Sequence, residues 1–69
     1  MKIIHVNEQE SHIYHNNEHI GFMICWTDSN GEQWFRVQIH SYQGIISRLS
    51  QSYAEAYDDI LDLLDREDV

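Results

Sequence analysis

Polar and apolar residues first alternate along the chain and then change period. Residues 3–6 are apolar apart from His5 and read as a short first strand. Residues 7–10 are polar and turn-like, and residues 12–15 begin a second strand. Asn16-Asn17-Glu18 follows as a run of turn formers. The clearest element spans residues 19–27 and 33–40, a hairpin closed by Asn30-Gly31. Asn-Gly favours a two-residue type I′ turn, because both positions tolerate positive φ. Such a loop pairs Trp26 with Phe35, Ile24 with Val37 and Phe22 with Ile39. Directly opposed residues share a face, so all six are expected to point into the core. Met23, Cys25 and Thr27, opposite Trp34, Arg36 and Gln38, fall on the outer face.

After His40 the spacing lengthens. Ile45, Ile46 and Leu49 suggest a helical turn or two. Ser52-x-x-Glu55 is a capping box, predicting a helix that runs to about Arg66. A break near residues 50–52 and one continuous helix both fit. At 100° per residue Tyr53, Ala56, Tyr57, Ile60, Leu61, Leu63 and Leu64 cluster on one side, with Glu55, Asp58, Asp59, Asp62 and Asp65 opposite. The expected architecture is α+β. An antiparallel meander of three to four strands carries the acidic amphipathic helix on one face, and residues 1–69 form a single domain.

Charge sharpens this picture. The formal net charge is −8, with 12 acids against 4 bases. Residues 53–69 hold seven of those acids against Arg66, and residues 1–52 hold five against Lys2, Arg36 and Arg48. An excess of this sign opposes direct contact with nucleic-acid phosphates or anionic lipid. The helix dipole disfavours carboxylates at a C-terminus by about 0.3–1 kcal/mol each. Like charges three or four residues apart repel by a further ~0.2–0.5 kcal/mol per pair. Helix stability alone would not choose this row. Five carboxylates over residues 55–65 span roughly 15 Å at 1.5 Å per residue, or one charge per ~3–4 Å, close to the ~3.4 Å phosphate spacing of a DNA strand. The bland alternative is a solvated face that aids solubility.

Apolar content of 42%, with two Trp, four Tyr and two Phe, supports a thin core and argues against disorder. Cys25 is the single cysteine, no signal peptide is evident and no apolar run approaches a membrane span. A cytoplasmic protein is the expectation. His12-x2-His15-x3-His19, with Cys25 or His40, has ligand types but lacks paired-Cys or His-Glu-x-x-His spacing, so no metal or other cofactor is expected. Cys25 and His40 could be written as nucleophile and base, but no third group orients them. No enzyme is expected.

The stretch from Asp28 to Val37, DSNGEQWFRV, followed by an acidic helix, resembles the small phage-encoded inhibitors of uracil-DNA glycosylase across residues 22–65. Its most specific part is Gly31-x-Gln33-Trp34-Phe35. The resemblance implies a DNA mimic that blocks a nucleic-acid enzyme. Acidic phage antagonists more broadly, anti-CRISPR proteins included, share the character. The expected partner is therefore a basic protein, met by Glu55, Asp58, Asp59, Asp62 and Asp65 with Trp34 and Met23 as apolar contacts. A homodimer through the outer sheet face is a further use of that surface. An antitoxin or regulatory subunit that neutralises a basic partner is the first alternative, and a small metal- or thiol-dependent enzyme the second.

Overall fold

The computed structural model describes residues 1–41 and 44–65. Among these residues five strands, β1 (Lys2–His5), β2 (Glu10–His15), β3 (Glu18–Thr27), β4 (Gln33–Ser41) and β5 (Gly44–Ser50), precede one helix, α1 (Tyr53–Asp65). The strands form one antiparallel sheet in sequence order, a simple meander. The expected helical end at Arg66 and the acids Glu67 and Asp68 lie outside the described residues.

The strand count corrects the expected three to four. Residues 44–50 form an edge strand rather than a first helical segment, pairing Ile39 with Ile46 and Val37 with Arg48. The apolar spacing at 45, 46 and 49 suits a helix, but the β-branched pair Ile45-Ile46 suits a pleated surface better. The helix therefore starts fresh at Tyr53. Ser52 caps it through its hydroxyl, which accepts the Glu55 amide at 3.2 Å, and its carbonyl, which accepts the Ala56 amide at 3.1 Å. The Glu55 carboxylate reaches back to the Gln51 amide at 3.3 Å, one residue beyond the usual capping box.

The β3–β4 register also differs from expectation. Phe35 faces Cys25, Val37 faces Met23 and Ile39 faces Gly21, with Trp26 opposite Trp34. The pairing is displaced by one residue because the loop is longer than two residues. Asp28 and Glu32 close it, the Asp28 amide donating to the Glu32 carbonyl at 2.9 Å. Within it Gly31 has φ +81° while Asn30 is not left-handed. This is a three-residue loop, a type I turn followed by a left-handed residue. The type I′ turn instead closes β2–β3, where Asn16 and Asn17 have φ of 53° and 66°. A one-residue slip exchanges the faces of a strand. Phe22, Ile24 and Trp26 therefore point outward, while Met23 is buried and Cys25 packs against the core. The β4 residues Phe35, Val37 and Ile39 are buried as expected.

Gly21 makes the close β3–β4 approach possible, since a Cβ there would collide with the Gln38 carbonyl oxygen. One residue earlier, Ile20 sits at a register shift between Ile13 and Tyr14 and is turned into the core. Ala56, Ile60 and Leu63 of α1 complete that core with Ile13, Ile20, Met23, Phe35, Val37 and Ile39. The helix lies over β4 and β5. A helix about 10–12 Å across spans only about two strands at ~4.8 Å spacing, so one helix cannot cover the whole sheet face.

Candidate protein-binding surfaces

The outer side of α1 is the first surface. Glu55, Asp58, Asp62 and Asp65 are exposed. Asp59 is half-buried and accepts the Ser50 hydroxyl at 2.7 Å, which fastens the helix to β5. Asp59 is therefore a structural contact, and Glu55 is partly engaged by the N-terminal cap. Asp58 and Asp65 lie two turns apart on one exposed line. The last turn of the helix, to Asp65, carries no basic residue.

Beside the acids runs an exposed apolar line that the sequence had assigned to the core. Tyr53, Tyr57 and Leu61 are 40%, 38% and 44% exposed. The residues are four apart, so they stack along the helix axis. Only Ala56, Ile60 and Leu63 are buried, with Leu64 half-covered. Tyr53 is anchored at one end, edge-on to Phe35 and stacked with Tyr57, with centroids 6.2 and 6.4 Å apart. The exposed margin follows from the narrow footprint of α1. Its position at the edge of the apolar arc was the one sequence signal for it.

The outer sheet face is the second surface. It carries Ile4 on β1, Tyr14 on β2, Phe22, Ile24 and Trp26 on β3, Trp34 on β4, and Ile45 and Leu49 on β5. No described element lies over it, and Ile45 and Leu49 are 62% and 53% exposed. Trp34 is half-buried here, as expected, and its indole N–H donates to the Asp28 carboxylate at 2.8 Å. Met23 is not available to a partner, being only 4% exposed in the core. The acidic line and Trp34 also lie on opposite sides of the sheet. They cannot serve together as the two halves of one small contact.

The remaining candidates separate. Cys25 projects to the helix side and accepts the Gln33 side-chain amide at 3.0 Å, whereas the register places His40 on the outer side, opposite Ile45. No nucleophile–base pair forms between them. His12 and His19 do come together, with ring nitrogens 2.7 Å apart, and His12 also meets the Glu10 carboxylate at 2.9 Å. Among the described residues no group of three or more His, Cys, Asp or Glu side chains is arranged to hold a metal ion. A groove of about 150 Å³ on the helix side is lined by His5, Ser11, Cys25, Gln33 and Tyr53 among others. His5 Nδ1 meets the Ser11 hydroxyl there at 2.7 Å, with Ser11 buried. Among the described residues no carboxylate is bonded to His5 to orient it. The described helix is too short and polar to cross a membrane.

Comparison with known proteins returns no match: no family model, no curated protein and no solved structure is similar.

Proposed function

We propose that this chain is a non-enzymatic binding protein whose acidic helix occupies the basic, nucleic-acid-binding surface of another protein, in the manner of a DNA mimic. One observation carries the reading. The exposed acids of α1 border the exposed side chains of Tyr57 and Leu61 along a single helix. Nucleic-acid sites pair positive charge with stacking or apolar contacts, and an acidic line edged by aromatic and aliphatic groups answers both. Hot spots need a desolvated apolar anchor as well as complementary charge. Tyr57 and Leu61 fill that role better than Trp34, which faces the other way.

The test uses Asp58→Lys with Asp65→Lys, two exposed acids apart from the cap and from Ser50. The partner is whichever protein the wild-type chain captures at low salt and releases at high salt. The double variant is expected to lose at least 100-fold in affinity while its melting temperature stays level or rises, since like charges are removed near a helix C-terminus. Unchanged affinity in a folded double variant would refute the reading.

A further inference from the structure

The outer sheet face is self-complementary, and we infer that it is the contact surface between two copies of this chain, related by a two-fold axis running along β3. The inference goes beyond the helix reading and uses the opposite side of the molecule.

Strand pairing places four residues in one row across the outer face. Glu10 on β2 faces Ile24 on β3, Ile24 faces Arg36 on β4, and Arg36 faces Leu49 on β5. Val6, whose amide donates to the Glu10 carbonyl at 2.9 Å, extends the row past β1. The row therefore reads apolar, acid, apolar, base, apolar, symmetrically about Ile24. A two-fold axis parallel to β3 and in front of this face lays β2 of one copy over β4 of the other. Each Glu10 then meets Arg36 of the second copy, each Leu49 meets Val6, and Ile24 meets itself. An axis across the strands through the same row would instead set Glu10 on Glu10 and Arg36 on Arg36, so charge chooses between them.

The neighbouring rows agree. The axis strand presents Phe22, Ile24 and Trp26 in succession, and residues on a two-fold axis must tolerate their own copy, which apolar side chains do. In the next row His12 and Gln38 flank Phe22 on either side. The operation sets these two side by side, His12 already meeting His19 and Glu10 through its ring nitrogens. Arg36 is already held, its guanidinium 5.7 Å from the centre of the Trp26 ring, and it forms no ion pair among the described residues.

The size is near the lower bound for a specific dimer. Five strands ~4.8 Å apart and about six residues long at ~3.3 Å each offer roughly 400 Å² in flat projection. With side-chain relief, two such faces approach the ~1,000 Å² that a specific interface needs. Sheets stacked in this way pack about 10 Å apart with strands nearly aligned. The arrangement leaves both acidic helices on the outside, so the charge of −8 per chain is held far from its copy.

The test is charge exchange, read by sedimentation equilibrium of the intact chain. The wild type is expected as a dimer, twice 8.3 kDa, at micromolar concentrations. Glu10→Arg and Arg36→Glu are each expected to raise the dimer dissociation constant about tenfold or more, as close interfacial charge pairs do. Combining them is expected to restore it to within about threefold of wild type, which a mere folding defect in either single variant would not do. A wild-type chain that stays monomeric up to millimolar concentration overturns the inference. So does a dimer indifferent to both single reversals, or a double variant no better than the worse single one.

Discussion

The Asp28 carboxylate organises more of the molecule than its place in a surface loop would suggest. One oxygen accepts the amides of Asn30 and Glu32, both at 2.9 Å, and the other accepts the Trp34 indole at 2.8 Å. These bonds, the indole first, hold its carboxyl below the usual carboxylate range. A depressed folded pKa contributes stability above the unfolded value that is lost as pH falls through the folded one. The β3–β4 loop is therefore expected to loosen only in acid below about pH 4, seen as loss of protection of the Asn30 and Glu32 amides. Asp28→Asn is expected to remove that acid transition and to set an amide N–H₂ or a weaker acceptor against the indole. The measurable sign is a shift of the Trp34 indole proton at neutral pH; a spectrum unmoved by Asp28→Asn would deny the bond. Asp28 is also why the sequence misled about register. Asn30-Gly31 reads as a two-residue turn on backbone preference alone. The side chain that overrides it stands two residues earlier, and its effect depends on an indole that the fold must first deliver. Gly21 gives a second residue-level test. Gly21→Ala is expected to cost about 3 kcal/mol or more, because the new methyl meets backbone and cannot be relieved by a side-chain rotation. A denaturation midpoint near wild type would contradict the close β3–β4 approach.

Among the elements, α1 was the most legible and β5 the least. The helix start at Ser52-x-x-Glu55 and the acidic side of α1 follow from spacing that involves only the helix itself. Which apolar residues become buried could not follow from it, since that depends on where a ~10 Å helix rests on a sheet twice as wide. Tyr57 and Leu61 hang past that footprint. Strand β5 was hidden because Ile45, Ile46 and Leu49 fit both periods over so short a run, and only pairing with β4 decides. The cap is testable by itself. Ser52→Ala is expected to lower stability by about 1 kcal/mol, as loss of an N-cap hydroxyl does, with the β3–β4 amides unaffected in hydrogen exchange. A loss confined to the sheet would mean that Ser52 acts elsewhere.

For the whole molecule, the sheet divides two surfaces of different character. One side bears the helix, whose exposed acids Glu55, Asp58, Asp62 and Asp65 lie beside Tyr57 and Leu61. The other bears an apolar field crossed by Glu10 and Arg36. Net charge and its concentration after residue 52 are visible in the sequence, and so is an antiparallel sheet with a C-terminal helix, though not its fifth strand or the strand order. The sidedness is not, because the one-residue slip at β3 moves Met23 inside and Phe22, Ile24 and Trp26 outside. That slip turns the outer face from a modest patch into the broad one described above. The most direct measurement for the helix as a nucleic-acid mimic is competition on the captured partner. The partner is loaded with a short fluorescent duplex or single strand that it binds, and the chain is titrated in while anisotropy is followed. The account predicts full displacement of the nucleic acid at stoichiometric chain, weakening steeply with salt. Stable co-occupancy of chain and nucleic acid on the same partner would contradict it.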